Sequence, residues 1–230
     1  MAQANSVSEP LRLGSAAAQA QAGERPANYY SSSRADLASL VPSTAWRVLE
    51  VGCGTGQLGR LLRQRGHHVS GIELMPAAAE EAADHLDEVV CGDIETIELP
   101  WPDASFDAIL CGDVLEHLAD PWRTLRRLSA LLISGGLVIA SIPNVQNYRV
   151  IRGLLRGRWD YRERGLLDFG HLRFFTWRTI VQLFGQADLE IVQAQAGWNR
   201  TALRQLFCCL SGGVAERFLA RYYLVVGQRR

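Results

Sequence analysis

Short apolar runs and amphipathic segments alternate along most of this chain. Residues 46–53 form a nearly continuous apolar run, as expected of a strand buried on both faces of a parallel sheet, and residues 57–66 follow with helical spacing. This alternation predicts an α/β fold with a doubly wound sheet and with ligands beyond the carboxyl ends of the strands. The pattern predicts further strands at 68–74, 88–93, 106–113, 135–143, 189–196 and 222–229, and further helices at 77–87, 120–132 and 176–187.

Two segments depart from this alternation. Residues 1–27 are rich in Ala, Gln, Ser and Gly and lack a hydrophobic period, which predicts a mobile tail ahead of one domain over 28–230. Residues 144–173, called the arginine-rich segment below, are long and polar, and we expect them to be an insertion after the fifth strand. From Asn147 to Arg173 they hold seven arginines against three acids. The alternative is a solvated amphipathic helix with snorkelling arginines.

Composition narrows the function classes only a little. The 230 residues fit one domain, and the 24 basic residues, all arginine, balance 24 acids. A zero net charge without an aromatic-interleaved basic patch argues against nucleic acid. The apolar runs are too short for a transmembrane segment. No cysteine pair has C-x-x-C spacing, so we expect free thiols, no zinc site and a cytoplasmic protein; the cysteines are Cys53, Cys91, Cys111, Cys208 and Cys209.

The clearest motif is a glycine-rich loop between the first strand and the first helix. Gly52, Gly54 and Gly56 allow a sharp turn and a close approach of ligand to backbone. The spacing Gly54-x-Gly56-x-x-Gly59 also satisfies the dinucleotide fingerprint, so a nicotinamide or flavin domain is an alternative. Glu50, two residues before the first glycine, favours a ligand with a positive amino group over an anionic pyrophosphate.

Two more acids end the next two strands. Glu73, followed by Leu74, can accept hydrogen bonds from both hydroxyls of a ribose, which does not distinguish a nicotinamide cofactor. Asp93 can accept from an adenine amino group while Ile94 packs on the ring. Because parallel strands end at one edge, the three acids should line one crevice.

Taken together, VLEVGCGTGQLG, GIEL, CGDIE, FDAILCGDVLEHL and GGLVIASIPN resemble the class I S-adenosylmethionine-dependent methyltransferases of the type 11/23 group, over residues 45–140. The resemblance implies a Rossmann-like seven-stranded sheet of order 3-2-1-4-5-7-6 with an antiparallel last strand. It implies S-adenosyl-L-methionine as the cofactor, with Cys111 and Gly112 on the methionine side. The expected cofactor-binding residues are Glu50, Gly52, Cys53, Gly54, Gly56, Glu73, Leu74, Asp93, Ile94, Cys111 and Gly112.

Methyl transfer requires an aligned acceptor and often a base. The sequence Asp113-Val-Leu-Glu116-His117 predicts three polar side chains on one helical face, and EHL resembles ubiquinone-biosynthesis O-methyltransferases. These donors could bind a divalent ion, but we expect no metal to be required. Asp113 could instead be only a helix N-cap.

A second candidate lies in GHLRFFT, residues 170–176, which resembles the C-terminal lobe of methyltransferases encoded with glycosyltransferases. His171 and His117 are the candidate catalytic bases, although His171 could merely cap the following helix. In the fold that the resemblance implies, residues 144–173 are an insertion over the acceptor site, and their arginine excess suits a phosphate or carboxylate on the acceptor. The expected acceptor-binding residues are Asp113, Arg156, Arg158 and Arg173.

The sequence therefore predicts methyl transfer to a small-molecule acceptor by a monomer or homodimer. The expected acceptor atom is a hydroxyl oxygen on a sugar, a glycan precursor, or a quinone or lipid-linked intermediate. A non-catalytic S-adenosylmethionine-binding regulatory module and a nicotinamide-dependent oxidoreductase are the alternatives.

Overall fold

The computed structural model describes residues 34–197 and 213–230. The predicted tail and two of the cysteines, Cys208 and Cys209, lie outside the described residues. The first elements are α1 (Ala35–Ala38), β1 (Arg47–Val51), α2 (Gln57–Gln64), β2 (His68–Glu73), α3 (Pro76–Ala83), β3 (Glu88–Cys91) and β4 (Phe106–Gly112). They are followed by the 3-10 helix η1 (Leu115–His117), α4 (Pro121–Leu131), β5 (Leu132–Pro143), α5 (Tyr148–Leu154), α6 (Trp177–Gly185), β6 (Leu189–Gly197), α7 (Glu216–Leu219) and β7 (Tyr222–Arg229).

The strands form one seven-stranded sheet of order β3-β2-β1-β4-β5-β7-β6. The strands β1 to β5 are parallel to one another, and β7 runs antiparallel to both β5 and β6. This confirms the predicted fold, including the antiparallel last strand. Because β1, β2, β3 and β4 end at the same edge, the residues that follow them lie around one crevice.

The strand β5 differs in extent from the prediction. It begins at Leu132 rather than Gly135, because Phe106 pairs with Leu132 across an irregularity before Ala108 pairs with Leu137. The glycine pair at 135–136 therefore lies within the strand and does not start it.

Hydrophobic cores cover both faces of the sheet. Leu49 and Ile109 pack with Leu128 of α4 on one face, while Val48 and Leu110 belong to a second cluster on the other. Alternate residues of each central strand thus enter different cores, which explains why these strands are apolar at nearly every position. Full burial of a large aliphatic side chain contributes about 1.5–3 kcal/mol, so the central strands fix the crevice rigidly.

The arginine-rich segment starts from a buried polar anchor. The Asn144 side-chain amide donates to the carbonyls of Arg217 (2.8 Å) and Ala220 (3.0 Å), and Asn147 donates to Leu219 (3.1 Å) and Ala220 (2.9 Å). These bonds fix the first residues of the segment to α7 and to Ala220, which follows it.

The last residues of the arginine-rich segment lead back to its first residues. The Val145 amide donates to the carbonyl of Phe175 (2.9 Å), and Thr176 begins α6 as its N-cap, in a capping box with Thr179. The two ends of the segment are therefore held next to each other by the Val145–Phe175 hydrogen bond. Its only described α-helix is α5, so one long amphipathic helix does not form. No helix in the described ranges is long and apolar enough to cross a bilayer.

Candidate active site

The glycine loop after β1 adopts the conformation that its glycines permit. Gly52, Gly54 and Gly56 have φ values of +68°, +54° and +78°, a region that disfavours residues with a Cβ. A Cβ on Gly52 would lie only 2.8 Å from the Cγ2 atom of Val114. The Gly52 amide also donates to the carbonyl of Ile72 (2.8 Å). The loop is thus fixed between β2 and the residues that follow β4.

Glu73 at the end of β2 is buried rather than solvated. Its carboxylate accepts from the backbone amides of Gly54 (2.8 Å) and Met75 (2.9 Å), one at each oxygen. Each carboxylate oxygen can accept more than one hydrogen bond. The glycine loop and β2 therefore hold this carboxylate in place while it retains capacity to accept from a ligand.

Glu50, in β1 just before the glycine loop, is buried. A Cβ on Gly59 of α2 would stand 2.9 Å from its Oε2 atom, and that buried oxygen has no hydrogen-bond partner among the described residues. Burial raises the pKa of Glu50 to about 8; the Gly59 backbone hydrogen bond opposes this rise and the charge of Glu73 adds to it. Contact between Glu50 and a methionine amino group stays a prediction.

Asp93 and Ile94 follow β3 in a loop fastened to α4. The Asp93 side chain accepts from the Glu95 amide (2.9 Å), and Ile94 is buried. Arg127 of α4 donates to the carbonyls of Ile94 (2.8 Å) and Ile97 (2.7 Å). This anchoring keeps the loop at the carboxyl edge, next to the end of β2.

The end of β4 meets the first helix of the described chain. A Cβ on Gly112 would lie 2.8 Å from the Cδ1 atom of Leu37 in α1, so α1 packs directly over this strand end. Burial raises the pKa of Cys111 to about 12 and that of Cys53 still higher. Both thiols therefore stay protonated at neutral pH, so neither supplies a thiolate nucleophile.

The residues after β4 do not form the helical face that the sequence predicts. Asp113 has a φ of +56°, and only the three residues of η1 are helical. The Asp113 carboxylate accepts from the Ser141 hydroxyl (2.7 Å) and from Arg34. Since Val114 is the N-cap position of η1, Asp113 is not a helix cap either.

Instead, Glu116, His117 and His171 come together, with their ligand atoms within 4.8 Å of one another. The amides of Leu172 and Arg173 donate to the Glu116 carbonyl (2.8 and 2.9 Å), which fixes the end of the arginine-rich segment against η1. His171 is buried and does not cap α6, because Thr176 does. Such donors could hold a divalent ion.

Hydrogen bonds determine which ring nitrogen of each histidine carries the proton. His117 Nδ1 lies 2.8 Å from the Gly170 carbonyl, and His171 Nδ1 lies 3.3 Å from the Leu166 carbonyl. A carbonyl oxygen can only accept, so Nδ1 is the donor in both neutral rings and Nε2 is the basic atom. The two rings meet edge to face with centroids 4.8 Å apart.

Glu116 is the most deeply buried member of this cluster. Its Oε1 lies 3.9 Å from His171 Nε2, and its buried Oε2 has no hydrogen-bond partner within the described part of the chain. Burial raises the pKa of Glu116 well above its ordinary value; the charge of Asp113 adds to this, while Arg34 opposes it. The carboxyl group therefore favours its neutral form.

The three candidate arginines occupy different environments. Arg156 and Arg158 are exposed in the arginine-rich segment, and Arg158 pairs with Asp160 (2.7 Å). Arg173 donates to the Ala119 carbonyl, and its guanidinium carbon lies 5.9 Å from the centroid of Trp122. Arg173 thus already has a structural role at the start of α4, and Arg156 and Arg158 are more accessible to an acceptor.

Sequence reasoning missed the partners of Asp113. Ser141 carried a weak signal, since it is the one hydroxyl within the apolar run of residues 137–142. Arg34 gave no signal, because nothing in its local sequence indicates contact with a residue 79 positions away. Trp159 was also missed: its ring lies 5.1 Å from the Phe174 ring, which in turn lies 6.2 Å from the His171 ring.

Comparison with known proteins identifies the class. A family model described as a methyltransferase domain matches residues 15–194. The ubiquinone biosynthesis O-methyltransferase of Xylella fastidiosa (strain 9a5c) is 30% identical over 184 residues, 67% of this chain and 75% of that protein. The 27-O-demethylrifamycin SV methyltransferase of Amycolatopsis mediterranei (strain S699) is 34% identical over 108 residues, 44% of this chain and 40% of that protein.

A solved structure shows the same fold. It is a methyltransferase from Thermotoga maritima, described as S-adenosylmethionine-dependent and a possible histamine N-methyltransferase. The two structures agree with a TM-score of 0.61 at 21% sequence identity, over 87% of this chain and 89% of that chain.

The chain belongs to the methyltransferase domain family and is an S-adenosylmethionine-dependent methyltransferase. This membership supports neither of the two alternatives, the nicotinamide-dependent oxidoreductase and the non-catalytic module. The crevice fits the cofactor, since left-handed glycines leave the backbone open and carboxylates at the ends of neighbouring strands match a ribose and an adenine amine. Glu73 and Asp93 are the residues that would hold those groups.

Proposed function

We propose that this methyltransferase methylates a hydroxyl oxygen of a small-molecule acceptor, with His171 or His117 as the base. The observation that carries the proposal is the histidine pair beside the end of β4, with each Nδ1 facing a backbone carbonyl. That arrangement leaves Nε2 as the basic nitrogen, as deprotonation of a hydroxyl requires. Oxygen as the acceptor atom is supported by the similar proteins from Xylella fastidiosa and Amycolatopsis mediterranei, both named for O-methylation or for an O-demethyl substrate.

Different residues at the carboxyl edge of the sheet have different proposed roles. Bound S-adenosylmethionine supplies an electrophilic methyl group on a sulfonium. Glu73 would accept from the ribose hydroxyls and Asp93 from the adenine amine, with Ile94 against the ring. Cys111 and Gly112 would border the methionine end. A histidine Nε2 then takes the proton of the acceptor hydroxyl as its oxygen attacks.

The acceptor class follows from the surroundings of His171. The half-buried ring of Phe174 lies next to it and packs in turn against the half-buried ring of Trp159, which suits an acceptor with a ring or another apolar body. Arg156 and Arg158 suit a phosphate, diphosphate or carboxylate on the same molecule. We propose a quinone precursor, a sugar nucleotide or a lipid-linked glycan carrying such a group.

Transfer of a labelled methyl group to a panel of acceptors tests this proposal. We expect hydroxyl acceptors that carry an anionic group to be methylated, and their kcat/KM to fall between about 50 and 500 mM salt as screening shortens the Debye length. Replacing Arg156 and Arg158 with Gln should raise the acceptor KM and leave cofactor affinity nearly unchanged. Methylation at nitrogen, or a best acceptor that is uncharged and insensitive to salt, would contradict it.

A further inference from the structure

The outer part of the arginine-rich segment exposes large apolar side chains. Leu154 and Leu155, at the end of α5, are 52% and 82% exposed, and Tyr161 and Phe169 are 48% and 58% exposed. Isolated exposed apolar residues are common on proteins. Four exposed large apolar side chains within sixteen residues of one segment indicate a surface that binds a partner.

The backbone presents these side chains at the end of a turn. The amides of Arg156 and Arg158 both donate to the Gly153 carbonyl (2.9 Å each), so residues 154–158 fold tightly after α5 and form what we call the exposed tip. The rings of Tyr161 and Phe169 stack with centroids 5.8 Å apart and planes 17° apart. Apolar groups on a protruding turn suit insertion into a soft interface better than docking into a flat protein face.

Positive charge surrounds the same apolar groups. Within residues 152–164 five arginines face two acids, a local charge of +3 in a chain whose net charge is zero, and all seven side chains are exposed. Arginine stems pack on apolar surface while their heads stay in the headgroup region. Basic residues beside exposed leucines and aromatics are the combination that binds anionic lipid surfaces.

The position of the segment places such a membrane contact at the same edge of the sheet as the methyl-transfer site. The segment leaves β5 at the carboxyl edge of the sheet, the edge that carries the methyl-transfer site. Contact at the exposed tip would therefore turn that edge toward the lipid. Trp46, the most exposed large apolar residue among the described residues outside this segment, lies just before β1 at the opposite edge.

We propose that the exposed tip and the Tyr161–Phe169 pair form a peripheral docking surface for membranes that contain anionic lipids. The exposed tip also carries Arg156 and Arg158, which we propose for acceptor binding, but the leucines and the aromatic pair are not among the residues proposed for the methyl-transfer site. The docking proposal does not depend on the chemical nature of the acceptor. Leu154 and Leu155 insert among the headgroups, and Arg152 and Arg162 contribute to the attraction.

Flotation of the full chain with lipid vesicles tests the proposal. We expect binding to phosphatidylcholine vesicles with about 30 mol% phosphatidylglycerol, little binding to pure phosphatidylcholine, and loss of binding near 500 mM salt. The variants Leu154→Ser/Leu155→Ser and Arg152→Gln/Arg162→Gln should each bind at least about tenfold more weakly. The control Trp46→Ser should bind like the wild type.

Methyl transfer to a water-soluble acceptor separates lost docking from misfolding. The Leu154→Ser/Leu155→Ser variant should retain wild-type activity in that assay, because both side chains are exposed and neither belongs to the proposed site. Absence of wild-type binding to anionic vesicles at low salt would overturn the proposal and leave a protein partner as the better explanation of this surface. Unchanged binding by the leucine variant would overturn it too.

Discussion

Glu50 should make the ligand-free protein less stable as the pH rises. Burial raises the pKa of Glu50 to about 8, whereas an unfolded chain leaves a glutamate near its ordinary value of about 4.3. At a pH between these two pKa values, Glu50 is protonated in the folded state and ionised in the unfolded state. Stability from this group is therefore complete below pH ~4 and is lost progressively as the pH rises toward 8.

The size of the effect follows from the pKa difference. Each unit corresponds to 1.36 kcal/mol, so raising the pH from 5 to 8 should cost the folded state roughly 2–4 kcal/mol through Glu50. A protein of this size changes its Tm by about 2–4 °C per kcal/mol. The variant Glu50→Gln cannot ionise, so its Tm relative to wild type should be roughly 5–12 °C higher at pH 8 than at pH 5.

Thermal denaturation of wild type and Glu50→Gln at both pH values measures this difference. Comparison within each pH cancels Glu116 and every other titrating group that both proteins share. Glu80→Gln, an exposed glutamate on α3, is the matched control and should show no such difference. Equal Tm changes for Glu50→Gln at pH 5 and pH 8 would refute the reasoning, because Glu50 would then ionise like a solvated carboxylate.

Three further predictions concern the loop and the chemistry. Gly52→Ala should weaken cofactor binding and destabilise the folded state, by about 1–3 kcal/mol for backbone strain alone. It should lower the Tm more than Gly66→Ala, where a Cβ meets nothing within 4 Å; equal Tm changes would exclude the clash with Val114. His171→Gln and His117→Gln should lower kcat, by about 10²–10⁴ for whichever is the base, and the wild-type rate should rise with pH as the base loses its proton; a flat profile with both variants at the wild-type rate would leave alignment alone as the mechanism. Activity should persist in EDTA, since the raised pKa of Glu116 disfavours the ionised form that binds a metal; loss in EDTA with recovery in Mg²⁺ or Zn²⁺ would assign a metal to the cluster.

The strands and most helices could be predicted because their signals are local. Alternation between apolar runs and helical spacing located β1 to β7, and Thr176 before an apolar period marked the start of α6. These features depend on neighbours within a few residues. The glycine loop belongs to the same class, since its three positive φ values strongly favour glycine over residues with a Cβ.

The arrangement after β4 could not be predicted, because distant residues determine it. The spacing of Asp113, Glu116 and His117 is compatible with a helix, but contacts with Arg34 and Ser141 accompany a left-handed conformation at Asp113. Glu116 meets His171 from 55 positions away. A local pattern carries no information about either contact.

The central claim, that carboxylates at the ends of β2 and β3 hold S-adenosylmethionine, is tested most directly by calorimetry. We predict micromolar binding of S-adenosylhomocysteine or S-adenosylmethionine and no binding of NAD. Glu73→Ala should weaken that binding by roughly 1–3 kcal/mol, because bound hydroxyls lose a charged partner, while Glu80→Ala should not. Binding of NAD with no response to S-adenosylmethionine, or full affinity in Glu73→Ala, would contradict the account.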